Sequence, residues 1–134
     1  MKHLILVISC IAFIAVSAQK PQPAPKQKGA ALYKQYCLSC HQANGTGVPR
    51  MNPPLVKTSY VSGDKKKLIS WVLQGSIEHV DIDGEAYSNN MPAQNYLSDQ
   101  QIADILTYVR SSFGNKSSAV LPTDVKTVRA SIKK

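Results

Sequence analysis

Hydrophobic residues recur with helical spacing in the last third of the chain. After Ser98, apolar side chains follow an i, i+3, i+4, i+7, i+11 pattern, which is typical of a helix with one buried face. They are Ile102, Ile105, Leu106, Val109 and Phe113. Ser98 and Gln101 have the three-residue spacing of a capping box, and Gly114 is expected to end the helix. The pattern predicts an amphipathic helix that packs against a core.

A second helical pattern occurs earlier in the chain. Gly29, Tyr33 and Cys37 fall on one stripe of a helix predicted over residues 29–40. A glycine-rich turn follows it, and residues 48–62 contain three prolines and no helical period. A loop of that length is unusual in a compact domain unless it has a function, such as wrapping a cofactor.

The middle of the chain predicts one more helix and then irregular structure. Asp64 can cap a helix that Gly75 would stop. Residues 77–94 show no helical period and no convincing strand alternation. Within them, residues 81–85 are acidic but lack the spacing of a calcium-binding loop, so we expect a solvated turn. The fold class predicted is therefore all-α, with three to five helices and long loops.

The first 18 residues have the pattern of a secretory signal peptide. After a short positive start, residues 4–16 are apolar with few interruptions, and small residues suit cleavage after Ala18. This apolar run is shorter than the roughly 20 residues that a transmembrane helix needs. Because cleavage would remove it, we expect no membrane span in the mature protein. Lipidation at Cys10 is a further alternative, but apolar residues continue past it. We expect a periplasmic or otherwise exported protein.

The rest of the chain divides into three predicted parts. Residues 19–28 contain three alternating prolines and several lysines, which favour an extended linker. Residues 29–115 form one domain, since a chain of 134 residues is too short for two. Residues 116–134 form a basic tail, in which a short helix can begin at Pro122, and we expect this tail to be loosely docked.

Charge and composition narrow the class of protein. The chain is 43% hydrophobic and 18% charged, as expected of a small globular domain. Removal of residues 1–18 would leave fifteen basic and eight acidic side chains, a net charge of about +7. No nucleic-acid recognition motif accompanies the lysines, so partners with acidic surfaces fit this charge better than nucleic acid does.

The motif Cys37-Leu38-Ser39-Cys40-His41 has the C-x-x-C-H pattern of covalent haem attachment. On a helical turn the two cysteines share a face, so both sulfurs can bond the vinyl groups along one porphyrin edge. His41 can then bind the iron. A zinc ribbon would need a second ligand pair, a thioredoxin-like pair would need a βαβ context, and a plain disulfide would not need His41.

Three further features make the chain resemble the class I cytochrome c family, small all-α carriers of one haem. They are a Pro-Pro-Leu loop at 53–55, an Asn-Met-Pro-Ala segment at 90–93 and the final helix. In the family the last helix crosses the first, which here would bring Tyr108 against Gly29 and Tyr33. The resemblance covers residues 29 to about 115 and implies one covalent haem c with its iron.

The resemblance also implies roles for residues on the proximal side of the haem. Cys37 and Cys40 would form the thioethers, and His41 would be the proximal iron ligand. A backbone carbonyl near Pro53 or Pro54 would accept the other ring N–H of His41, which orients a ligand and sets its tautomer.

On the distal side, Met91 would be the second iron ligand. Met51 is the only other methionine after the signal peptide, but it lies in the loop expected to stay near His41. Leu55 would press on the haem face. Trp71 can pack on the haem or be an ordinary core residue, and these alternatives stay open. Three tyrosines can also line the pocket: Tyr60, Tyr87 and Tyr96.

An iron with both axial positions filled has no open site for substrate, which favours an electron carrier over an enzyme. The main hypothesis is a monomeric, freely diffusing periplasmic carrier that docks redox partners with acidic surfaces. An alternative is a dedicated cytochrome subunit of a periplasmic dehydrogenase. A third, which requires that Met91 is not bound, is an open-site haem enzyme or gas sensor. Candidate docking side chains are Lys34, Arg50, Lys57, Lys65, Lys66 and Lys67.

Overall fold

The computed structural model describes residues 24–77 and 79–132. Within them the helices are α1 (Pro25–Tyr36), α2 (Leu38–His41), α3 (Ser59–Ser62), α4 (Lys65–Gln74), α5 (Asp99–Arg110) and α6 (Pro122–Ile132). A hairpin of β1 (Val80–Ile82) and β2 (Glu85–Tyr87) is the one sheet in this part of the chain. The predominantly helical fold confirms the predicted class. The predicted three to five helices were too few, because α2 and α3 are single turns that periodicity does not detect. The predicted signal peptide lies outside the described residues.

Helices α1 and α5 cross at Gly29. A Cβ atom there would lie 2.7 Å from the Tyr108 Cβ and would also meet the carbonyl oxygen of Asp104. One turn later, Tyr33 is buried, and its ring centroid lies 5.5 Å from that of Tyr108. The expected crossing of the first and last family helices is therefore present, and the missing side chain at Gly29 permits it.

The start of α1 corrects the prediction of an extended linker over residues 19–28. Pro25 occupies the first turn of the helix, where its missing N–H needs no partner and its restricted φ suits a helix. Residues 24–28 therefore lead directly into the domain, while residues 19–23 lie outside the described part. The helix predicted over residues 29–40 is also interrupted, because Cys37 leaves helical geometry at φ −120° between α1 and α2.

The ends of α4 and α5 follow the predicted capping chemistry. The Asp64 carboxylate accepts from the N–H of Lys66 at 2.6 Å, and Gly75 ends α4 at φ +70°. Ser98 and Gln101 form both hydrogen bonds of a capping box. Helix α5 ends before the predicted Gly114, and turns cover the remaining residues. The predicted stripe on α5 is buried up to Val109, and Phe113 is partly buried against it.

The β1–β2 hairpin lies in residues expected to be irregular. Its turn consists of Asp83 at φ +55° and Gly84 at φ +87°. An Asp-Gly pair with both φ angles positive is favoured in two-residue hairpins, because its twist matches that of the flanking strands. The Asp81 carboxylate accepts from the N–H of Gly84 at 2.9 Å. This dipeptide was a usable sequence signal, but three-residue strands are too short to show clear alternation.

The basic tail forms α6 and is docked firmly, contrary to the expected loose end. Val125 is completely buried and Val128 nearly so, against the core that α4 and α5 also build. The Thr107 hydroxyl, on α5, donates to the carbonyl of Val120 and accepts from its N–H. None of the helices within the described residues is long and apolar enough to cross a membrane.

Candidate functional site

A predominantly apolar cleft, open to solvent, lies among α1, α2, α4, α5 and the hairpin. The eight residues predicted to attach, ligate or contact the cofactor, apart from the three tyrosines, all line it. They are Cys37, Cys40, His41, Pro53, Pro54, Leu55, Trp71 and Met91. The mostly apolar lining of the cleft is typical of sites that hold small molecules and cofactors.

The two cysteines of the motif are both free thiols. The kink at Cys37 and the single turn of α2 place Cys37 partly buried and Cys40 exposed, with both on the cleft wall. Burial, followed by the influence of Cys40, raises the pKa of the Cys37 thiol to about 11. Both sulfurs are available for bonding to a group in the cleft.

His41 is oriented by the loop that follows it. Its Nδ1 lies 2.9 Å from the carbonyl oxygen of Pro53. Since a carbonyl can only accept, Nδ1 carries the proton and Nε2 keeps its lone pair. Burial lowers the pKa of His41, while the hydrogen bond to Pro53 acts in the opposite direction. A neutral imidazole with one nitrogen engaged is the usual form of a metal-ligating histidine.

The turn after His41 is strained and braced from α1. Gln42 has φ +64° and ψ +161°, a region that is otherwise used almost only by glycine. The Tyr33 hydroxyl donates to the carbonyl of Gln42 at 2.6 Å, and the N–H of Gly47 donates to that of His41 at 3.1 Å. Nothing in the sequence around Gln42 indicated this conformation.

Asn115 attaches the proline-containing loop to the end of α5. Its side-chain amide donates to the carbonyls of Leu55 at 2.8 Å and Val109 at 2.7 Å, and its oxygen accepts from the N–H of Lys57 at 2.7 Å. Asn115 is buried, with every polar side-chain atom bonded. Sequence reasoning missed it, because an asparagine after a helix looks like an ordinary turn residue.

Met91 is held at the end of α4. The N–H of Ser76 donates to the Met91 carbonyl at 2.8 Å, and the Ser76 hydroxyl accepts from the Met91 N–H at 3.1 Å. A Cβ on Gly75 would meet the Met91 carbonyl oxygen and would lie 2.7 Å from the Ala93 nitrogen. Gly75 was predicted only as a helix stop, but it also permits this close approach. Met51 is 47% exposed and is not part of the cleft lining.

The loop after His41 is also bonded to the segment that leads into Met91. The Ser88 N–H donates to the carbonyl of Arg50 at 3.0 Å, and the Asn89 N–H donates to that of Met51 at 3.0 Å. The Asn89 amide donates to the Asn52 side-chain oxygen at 3.1 Å. These bonds join the loop after His41 to the segment before Met91, beside the cleft.

The aromatic residues divide into those in the cleft and those outside it. Trp71, Tyr60 and Tyr87 line the cleft, and the Trp71 ring meets that of Tyr60 edge-on at 5.9 Å. Tyr96, one of the three predicted lining tyrosines, is instead 66% exposed. Its ring contacts that of Tyr36, which does line the cleft and which sequence reasoning missed.

Comparison with known families agrees with this site. The family model for cytochrome c matches residues 26–113. This chain belongs to the cytochrome c family. The match begins one residue into α1 and ends after α5, so α6 of this cytochrome c lies beyond it.

Several characterised proteins resemble this cytochrome c. Cytochrome c-552 of Thermus thermophilus is 32% identical over 91 residues, which are 65% of this chain and 69% of that protein. The cytochrome c subunit of the quinone alcohol dehydrogenase of Gluconobacter oxydans is 33% identical over 103 residues, 75% of this chain and 22% of the subunit. The fructose dehydrogenase cytochrome subunit of Gluconobacter japonicus is 37% identical over 110 residues, with 76% and 22% covered. This chain thus spans about a fifth of the length of those dehydrogenase subunits.

Cytochrome c proteins bind haem c covalently and use its iron in electron transfer. The cleft of this cytochrome c fits that group. It offers two free thiols three residues apart, an imidazole with its Nδ1 engaged and a thioether at Met91, within predominantly apolar walls. Thioether and imidazole are both iron ligands in haem proteins.

Proposed function

We propose that this cytochrome c is an exported carrier of single electrons whose haem is held by Cys37 and Cys40 and ligated by His41 and Met91. The observation that carries the proposal is the hydrogen bond from His41 Nδ1 to Pro53, in a cleft that Met91 also lines. When bound, the haem supplies an iron that gains and loses one electron.

The residues of the chain have distinct tasks in this proposal. Pro53 holds the imidazole of His41 in one tautomer, which would leave Nε2 to hold the iron. Met91 supplies a thioether, which favours the reduced state and raises the potential. Leu55 and Trp71 contribute to the apolar lining of the cleft. If His41 and Met91 both held the iron, no coordination position would remain open for a substrate.

One set of absorption spectra tests the ligand assignment. The oxidised holoprotein should show the far-red charge-transfer band of methionine-ligated ferric haem, and Met91→Ala should abolish this band while Met51→Ala keeps it. The reduced wild-type protein should bind carbon monoxide slowly. A missing band together with rapid carbon monoxide binding would instead support an open-site haem enzyme or gas sensor.

Export and a periplasmic location rest on the signal-peptide pattern of residues 1–18. N-terminal sequencing and intact mass of the secreted protein should identify Gln19 as the first residue. A mature chain that begins at a lipidated Cys10 would contradict this cleavage site and would make the protein membrane-anchored.

The distribution of charge bears on the partners. Between residues 68 and 109 the chain has six acidic residues and no lysine or arginine, so its positive charge lies in the remaining segments. Of the candidate docking residues, Lys65 donates to the Ala119 carbonyl at 2.7 Å and lies 3.8 Å from Asp124. The other candidate docking residues are exposed: Lys34, Arg50, Lys57, Lys66 and Lys67. Redox partners with acidic surfaces should then react at rates that fall steeply with added salt, whereas salt-independent rates would contradict steering.

A second candidate is an electron-accepting subunit of a periplasmic dehydrogenase. The similarity to the cytochrome subunits of alcohol and fructose dehydrogenases favours it. Affinity purification of the tagged protein from its own cells separates the two. A freely diffusing monomer should elute alone at the mass of one chain, whereas a dehydrogenase subunit should elute in constant ratio with one enzyme.

A further inference from the structure

We propose that Arg129, on the C-terminal helix α6, is a positioning residue that keeps Met91 in place for the haem iron. The inference rests on the proposed ligand role of Met91. Arg129 lies beyond residues 26–113, the part of the chain that the family model matches. Its effect would be exerted on the backbone between Met91 and α5.

The Arg129 guanidinium binds three groups of this segment at once. Its Nε pairs with the Asp99 carboxylate at 2.7 Å, Nη1 donates to the Asn95 carbonyl at 2.7 Å and Nη2 donates to the Leu97 carbonyl at 2.7 Å. The side chain is 17% exposed. A planar guanidinium presents its donors in a rigid fork, so it sets the relative positions of these groups. A lysine ammonium would not reproduce that geometry.

The fork is effective because both sides of it are anchored. Helix α6 is seated in the core by Val125 and Val128, which are buried. Residues 91–98 have no regular secondary structure apart from the bridge between Met91 and Ser76, so their path depends on individual contacts. Ser76 holds the beginning of this segment, and the bond from the Gln94 N–H to the Val72 carbonyl, at 2.9 Å, holds its middle. Arg129 holds the end that enters α5.

Loss of the fork should therefore increase the population in which Met91 has left the iron. Imidazole added to the ferric holoprotein binds iron only in that population, so its apparent affinity reports how large the population is. Arg129→Gln should bind imidazole about tenfold more tightly than wild type. A tenfold change in affinity corresponds roughly to the free energy of one hydrogen bond from a charged donor. Arg129→Lys should lie between the two. Lys126→Gln, on an exposed position of the same helix, is the matched control and should behave as wild type.

Two further measurements separate positioning from general stability. In Arg129→Gln, the backbone amide hydrogens of Gln94 and Leu97 should exchange with solvent about tenfold faster than in wild type. The amide hydrogens of α1 should exchange at the wild-type rate. A lower denaturation midpoint with imidazole binding equal to that of Lys126→Gln would overturn the proposal.

If Arg129→Gln does not fold, Asp99→Asn weakens the same fork, and unchanged imidazole binding in that variant overturns the proposal equally. A wild-type protein without the far-red band would refute the ligand role of Met91 and this inference with it. A wild-type protein with a normal band, whose imidazole binding is unchanged by Arg129→Gln, refutes this inference alone.

Discussion

The two sides of the cleft are built in different ways. On the proximal side, the cysteines, His41 and its partner Pro53 lie close together in sequence, and the bond between His41 and Pro53 spans 12 residues. On the distal side, Met91 depends on Ser76, 15 residues away, and its segment depends on Arg129, 34 residues beyond Asn95. The proximal side is therefore a local motif, whereas the distal side is a product of tertiary packing. Substitutions should disrupt the two sides by different routes.

The largest effect is expected from removal of both cysteines. Cys37→Ala combined with Cys40→Ala leaves no cysteine to form a thioether bond with the haem, so the haem should separate completely from the denatured chain. Denaturing electrophoresis with haem staining measures this directly. Ser39→Ala, between the two cysteines, should retain the haem, and covalent haem in the double variant would refute the proximal assignment.

The distal side is expected to fail through the backbone. Gly75→Ala places a Cβ against the Met91 carbonyl in a left-handed conformation, so it should lower the free energy of unfolding by about 3 kcal/mol or more and weaken the far-red band. Gly84→Ala has a similar φ but no atom within 4 Å of the new Cβ, so it should cost about 1–2 kcal/mol and leave the band intact. Chemical denaturation of both holoproteins checks the comparison. Equal losses would show that the contact with Met91 is unimportant.

The same division explains what the sequence could predict. The C-x-x-C-H motif, the caps at Asp64 and Ser98 and the stripe on α5 are local patterns, and the structure contains each of them. The crossing at Gly29 and the place of Met91 in the cleft were predicted only through resemblance to a family, because no local pattern specifies which distant segments meet.

Other features could not be predicted, for physical reasons. Asn115 and Arg129 make contacts that exist only when distant backbone carbonyls are brought to them, so their sequence neighbourhoods look like an ordinary turn and an ordinary basic tail. Gln42 adopts a conformation that its own side chain disfavours, and Tyr33 from another helix braces it. The Asp83-Gly84 hairpin is different, because its turn signal was present and was outweighed by the shortness of its strands.

Asn115 limits the claim that the proximal side is local, since its bond to Leu55 spans 60 residues. Asn115→Ala removes three hydrogen bonds and leaves backbone groups of Leu55, Lys57 and Val109 without that partner. We expect a loss of about 2–3 kcal/mol in unfolding free energy, measured by denaturant titration. Asn44→Ala, in an exposed turn, should cost less than about 1 kcal/mol. A negligible effect of Asn115→Ala would mean that the proximal loop needs no distant support.

The smallest effect concerns the link between the β1–β2 hairpin and α3, and it should depend on pH. Hydrogen bonds from the Ser59 hydroxyl and backbone N–H lower the pKa of the Asp83 carboxyl from its ordinary value of 3.8. Because the folded-state pKa is the lower one, the stabilisation is complete well above pH 3.8 and is lost as the pH falls through the folded-state value. The thermal midpoint of wild type should therefore exceed that of Asp83→Asn slightly at neutral pH, and the difference should shrink below pH 3.8. Glu85→Gln is the control, because it removes a charge from the same hairpin without removing this bond. If its thermal midpoint differs from that of wild type by the same amount and with the same pH dependence, the effect is due to net charge and not to the contact with Ser59.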